Sequence, residues 1–239
     1  MAVGSKSFPQ HTASQTSVPL STFSGAVWHD FAGVTAGWQA GVGYLIVLVT
    51  LWTESPHHRT LWMGAVSAFL LIFTLGSGYS KRELGLEAPS WSGAWRIFVI
   101  GLGAAAAIAA TAKLLGHSIP ANLNWPSPRD ARQYAIWAMV QQFMLQSFFY
   151  VRLEAVLGSK PAVPATALLF ASAHLPNPIL TVSTLLGGLF FCEMFRRYRS
   201  IYPLGIVHAA LGLSLAATLP DSLIHHLRVG IGYLQFHAH

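Results

Sequence analysis

The feature that most limits what this chain can become is a recurring one: long apolar runs return along its length, and few charges interrupt them. At about 1.5 Å rise per residue, a helix of ~20 such residues crosses the ~30 Å hydrocarbon core of a bilayer. Only 9% of the 239 residues are charged and 53% are hydrophobic, against about 25% charged in a soluble domain. A water-soluble fold of this size has no interior large enough to hide that much apolar surface. The expected class is therefore all-α: a polytopic integral membrane helical bundle with about seven to eight transmembrane helices.

Segments of membrane length, or near it, fall at 31–52, 60–79, 95–115, 130–157, 161–174, 179–195 and 203–220, separated by Pro, Gly and charged stretches. In the third, the small side chains of Ala104 to Ala107 permit close helix approach. Residues 1–30 are rich in Ser, Thr, Gln and Pro, contain no apolar h-region, and read as a polar tail. Residues 31–220 form the membrane domain, and 221–239 an amphipathic tail. Within that tail, 222–236 is expected to lie on the membrane surface or to form a short eighth helix.

The distribution of Lys and Arg sets the orientation. Lys6, Lys81, Arg82, Arg96, Arg152, Lys160, Arg196, Arg197 and Arg199 fall on the side of the N-terminus and outnumber Arg59, Lys113, Arg129, Arg132 and Arg228 on the other. The N-terminus is expected to be cytoplasmic, in a bacterial inner membrane. The net charge of +6 belongs to this asymmetry and not to nucleic-acid binding. The single cysteine, Cys192, lies in an apolar run, which excludes a disulfide framework and a thiolate metal cluster.

Polar side chains at membrane depth are costly, usually face the bundle interior, and mark a functional site. Gln141, Gln142 and Gln146 lie in the fourth segment, His174 closes the fifth, and His208 lies early in the seventh. Their depths of ~10 to 20 Å from one membrane face or the other allow all of them to meet near mid-membrane. Glutamines in lipid also hydrogen-bond across helices as simple adhesive, and His174 alone would suit a helix C-terminus.

The polar pair Gln141-Gln142, followed by Phe170-Ala-Ser-Ala-His174 (F-x-x-x-H) and then His208, resembles the CPBP family of intramembrane endopeptidases, which includes the CAAX-prenyl-protein and bacteriocin-processing proteases. The likeness covers 134–219, within a core of about 130–219. The family's first motif is E-E-x-x-x-R, and here it falls on Gln141-Gln142 and Gln146, so both glutamates and the arginine are glutamine. The third motif, His followed four residues later by Asn or Asp, falls on His208 and Gly212.

The resemblance implies peptide-bond hydrolysis within the membrane, with His174, His208, Gln141 and Gln142 at the catalytic positions and Gln146 and Phe170 in the substrate site. Hydrolysis of that kind needs a carboxylate to take a proton from water, and glutamine cannot accept it. Glu154, ~12 Å beyond Gln146 on the same helix, is the alternative acid; its other reading is a helix-end charge near Arg152 and Lys160. Glu193 reads as an ion pair with Arg196 and Arg197. The sequence names no cofactor, and two histidines with amide neighbours fall short of a zinc site.

Two functions follow from the residues: a CPBP-type endopeptidase with an unconventional acid, or an inactive pseudo-protease that serves as a binding module or accessory subunit of a membrane complex. The expected partners are membrane lipids and either a transmembrane or lipidated peptide substrate or the other subunits of such a complex.

Overall fold

The computed structural model describes residues 20–53, 56–114 and 127–235. They form helices α1 (Leu20–Leu51), α2 (Pro56–Leu75), α3 (Trp91–Leu114), α4 (Pro128–Gln142), α5 (Val151–Leu157), α6 (Ser159–Ser172), α7 (Pro178–Tyr198), α8 (Tyr202–Thr218), α9 (Asp221–Ile224) and α10 (Ile231–Leu234). A π-helical stretch, Phe143–Tyr150, joins α4 to α5 in one continuous rod. The fold is an all-helical membrane bundle. Gly33–Leu51, Trp91–Leu114 and Pro178–Tyr198 are each long and apolar enough to cross a bilayer, and Leu61–Leu75 and Tyr202–Thr218 are shorter apolar helices. Their outer faces are greasy: Trp38, Ile72, Trp91 and Leu114 are 72%, 71%, 84% and 87% exposed. That surface is a liability in water and an ordinary one in lipid.

Local chemistry explains where the helices start. Ser127 caps α4 by accepting a hydrogen bond from Asp130 N at 3.2 Å, with Pro128 in the first turn and the Asp130 carboxylate near the positive end of the helix dipole. Asn177 caps α7 in the same way through Leu180 N at 3.1 Å, again followed by proline. At the other end of α7, Arg196 and Arg197 complement the helix dipole.

Several boundaries differ from the sequence expectation. Helix α1 begins at Leu20, ahead of position 31, and residues 1–19 of the expected polar tail lie outside the described residues. Helix α6 has 14 residues, about 21 Å at 1.5 Å each and short of a full bilayer crossing. The tail makes neither a span nor one surface helix. It folds into two single turns, α9 and α10, linked by a 3₁₀ turn at His225–Leu227. The reason is a set of fastenings to the loop between α6 and α7: Asn177 Nδ2 donates to Ile224 O at 3.0 Å and to Arg228 O at 3.2 Å, and Gly230 N donates to Leu175 O at 2.8 Å.

Close helix contact in α3 also falls elsewhere than expected. Of Ala104 to Ala107 only Ala105 is buried, and the tight approach to α8 is one turn earlier, where any side chain at Gly101 would collide with Val207.

The π stretch is the pivot of the bundle. All eight of its residues are buried, and it packs against α2 and α6 as well as its own flanking helices. A π segment carries i→i+5 bonds and recurs at functional sites. Beneath it, the loop between α2 and α3 closes one end of the bundle: Ser147 Oγ donates to Leu84 O at 2.6 Å, and Ile201 N donates to Gly85 O at 3.0 Å.

Candidate functional site

The rod α4–π–α5 delivers two fully buried glutamines to the centre of the bundle. Gln142 Nε2 lies 3.2 Å from His208 Nδ1. Gln146, one turn further on, donates from Nε2 to Gln142 Oε1 at 3.3 Å and lies 3.7 Å from Cys192 Sγ. The result is a chain from α7 through the π segment to α8 built from amides, a thiol and an imidazole. It has one loose end, because Gln146 Oε1 is buried with no hydrogen-bond partner among the described residues.

The second imidazole sits across an aromatic ring. His174 Nδ1 donates to the carbonyl oxygen of Phe170 at 2.6 Å. The Phe170 ring meets His174 edge-on with centroids 4.7 Å apart, and meets His208 edge-on at 5.9 Å. Phe191 covers the far face of His208 at 5.3 Å. Phe170 thus acts as a spacer that fixes both histidines.

Gln141, His174, His208 and Phe170 all line one cavity, which encloses about 1230 Å³ of empty space counting its open mouth. Its walls are helix stripes. Tyr134, Trp137, Gln141 and Leu145 recur along the rod, Leu180, Ser183, Thr184 and Gly187 along α7, and His208, Leu211, Gly212 and Leu215 along α8. These are the i, i+3, i+4, i+7 spacings of one helix face. Tyr44, Val47 and Leu51 of α1 and Leu227 and Val229 of the tail complete it. Among the described residues, no Asp, Glu, Lys or Arg lines it.

Of the sequence candidates, the structure brings Gln142, Gln146 and His208 into direct contact and sets Gln141, Phe170 and His174 on the same cavity. Glu154 is not brought to the histidines. It is held by Arg199 Nη2, at 2.5 Å from Oε1 and 2.6 Å from Oε2, beside the Tyr150 hydroxyl at 3.4 Å. Nor are Arg152 and Lys160 its partners. Glu193 pairs with Arg196 and Arg197 at 2.7 and 2.5 Å, on its own helix.

Three residues carry weight that their types did not announce. Tyr134 occupies the space in which a side chain at position 212 would stand: a Cβ on Gly212 would run into its hydroxyl. Its spacing of seven residues before Gln141 was the available signal. Trp137 lies on the same stripe. Arg152 is fully buried, stacks over Phe148 with its guanidinium 3.9 Å from the ring centroid, and donates to Gln39 Oε1 at 3.0 Å and Phe148 O at 3.1 Å. Nothing near it in sequence foretold Gln39.

Among the described residues no group of three or more His, Cys, Asp or Glu gathers, where zinc takes three or four protein ligands.

A family model described as Rce1-like, type II CAAX prenyl endopeptidase, matches residues 132–214. The matched segment, about a third of the chain, is similar to that family. Compared with curated proteins and with solved structures, the chain has no match. The Rce1-like segment runs from the first turns of α4 into α8 and contributes Gln141, Gln142, Gln146, Phe170, His174 and His208. The cavity walls supplied by α1 and by the tail lie outside it.

Proposed function

We propose that this chain is a non-hydrolytic relative of the CAAX endopeptidases, a membrane binding protein that holds an apolar or lipidated chain in its central cavity. The observation that carries this reading is the contact between Gln142 and His208. At a position where a hydrolase needs a carboxylate that takes a proton from water, this site offers an amide whose nitrogen donates to the imidazole. Losing a general base typically costs about 10²- to 10⁴-fold in rate, and among the described residues no carboxylate lines the cavity to replace it. The mostly apolar walls suit a lipid tail or a hydrophobic helix.

The N-terminus is proposed to be cytoplasmic, which sets the Glu154–Arg199 end of the bundle in the cytoplasm and the tail-covered mouth on the opposite side. The partner is either a lipidated peptide or a subunit of a membrane complex.

The family match favours a second reading, an active intramembrane endopeptidase. A cleavage assay of the detergent-solubilised protein on a prenylated CAAX peptide decides between them. The binding reading expects no product from the wild type and retention of the uncleaved peptide by it. Cleavage that disappears in both His174→Ala and His208→Ala would establish the protease instead.

A further inference from the structure

We propose that the cavity selects an amphiphile whose head group is uncharged and both donates and accepts a hydrogen bond, a long-chain alcohol being the simplest. This rests on the binding reading above and adds what the polar end recognises.

The argument starts from proton positions that the geometry dictates. A backbone carbonyl can only accept, so the 2.6 Å contact to Phe170 O requires the proton of His174 on Nδ1. In the neutral ring Nε2 is then a bare acceptor. His208 is fixed the opposite way. Gln146 donates to Gln142 Oε1, which turns the Gln142 NH₂ toward the ring, so His208 Nδ1 accepts and its proton sits on Nε2. Each ring is tied to protein through Nδ1 and lines the cavity, leaving Nε2 for a ligand. Two imidazoles flanking one phenylalanine therefore present one acceptor and one donor. Tyr134 adds a hydroxyl at the position vacated by Gly212.

A hydroxyl head can meet either imidazole without a charge, donating to His174 Nε2 or accepting from His208 Nε2. A carboxylate can accept from His208 Nε2 and Tyr134 but has no proton for the His174 acceptor, and a quaternary ammonium has no hydrogen to offer either ring. Either charge would lack an ionised partner, because among the described residues no Asp, Glu, Lys or Arg lines the cavity and burying an unpaired charge is costly. Val47, Leu51, Leu145 and Phe149 supply the apolar wall for the chain.

The test uses the full chain in an uncharged detergent with three amphiphiles of equal length, bearing an alcohol, a carboxylate or a trimethylammonium head and a diazirine at the far end. Peptide mapping after illumination compares cavity labelling, at Leu145 and Phe149, with labelling of the lipid face at Ile72 and Leu186. The alcohol is expected to label the cavity at least ~10-fold more than either charged analogue, with equal labelling of the lipid face. Tyr134→Phe, which removes only the hydroxyl, lowers alcohol labelling by about 2- to 10-fold, as the loss of one hydrogen bond does. Equal cavity labelling by all three heads, or preference for the carboxylate, overturns the head-group assignment while leaving a binding cavity. Labelling confined to the lipid face for every probe overturns the binding reading itself and the head-group assignment with it.

Discussion

The two polar regions of this bundle are built from different materials. At its centre, Gln142, Gln146, Cys192 and His208 join helices with groups that carry no formal charge. At the end closed by the loop between α2 and α3, the contacts are ionic: Glu154 with Arg199 across elements, and Glu193 with Arg196 and Arg197 along α7. The difference follows from solvation. The side chains of Glu154, Arg199, Glu193 and Arg196 keep about a quarter of their surface accessible, so their charges remain partly hydrated and cheap to hold. The central amides are fully buried, where an ionised group is tolerable only with an excellent partner. A hydrolase must accept that cost at its centre in order to hold a base. Among the described residues, Glu154 and Glu193 stand at the edge instead.

Charging the centre breaks this contrast most severely. Gln146→Glu places a carboxylate at a fully buried position beside a thiol and an amide, and the expected loss is about 3 kcal/mol or more at neutral pH. Burial raises the folded-state pKa of such a carboxyl above its unfolded value. The folded state then holds the proton more tightly, so the penalty shrinks as pH falls toward about 4.3. Thermal unfolding in detergent across that range is the check; a variant as stable as wild type at pH 7 would mean that the centre already accommodates charge. Next in size is Gly212→Asn, which restores the residue that the family resemblance expects there. Its Cβ has no room against Tyr134, and overpacking of this kind costs about 1–3 kcal/mol. The double variant with Tyr134→Ala is expected to recover most of the loss, which would tie the vacancy at 212 to the tyrosine.

The apolar runs made the all-helical membrane class legible, because a length near 20 residues with few charges has few other uses. Contacts between distant elements were not legible. Glu154 reads locally as a partner for Arg152 or Lys160, yet its partner is Arg199, 45 positions away. Arg152 counts in the sequence among the positive residues on the side of the N-terminus, yet it is buried over Phe148 and held by Gln39, 113 positions away. The π segment left no mark either, since Phe143–Tyr150 is apolar on nearly every side and a change of helical pitch does not alter such a pattern. The motif spacing did point at Gln142, Gln146 and His208. What it did not convey was Tyr134 in the space beside Gly212, which depends on how α4 packs against α8.

The ionic edge yields a smaller effect. Glu154→Gln removes one charge from a partly exposed pair, so Arg199 can rehydrate, and the expected loss is about 1 kcal/mol or less, diminishing with added salt. A loss that ignored ionic strength would place this pair in the same insulated setting as the central amides.

Smallest is the effect of Glu83, in the loop between α2 and α3. The Ser80 hydroxyl and backbone N–H donate to its carboxylate at 2.6 and 2.8 Å and hold its pKa below the usual value. Because the folded-state pKa is the lower one, this stabilisation is present above the unfolded value of about 4.3 and is lost as pH falls through the folded value. Acid unfolding curves of Glu83→Gln and wild type should therefore converge at the lowest pH and separate slightly above it. Since the residue is exposed, the separation should be the least of the four. A wide gap would show that the loop against Ser147 and Ile201 depends on this one turn, and that the charged edge contributes more to closing the bundle than its exposure suggests.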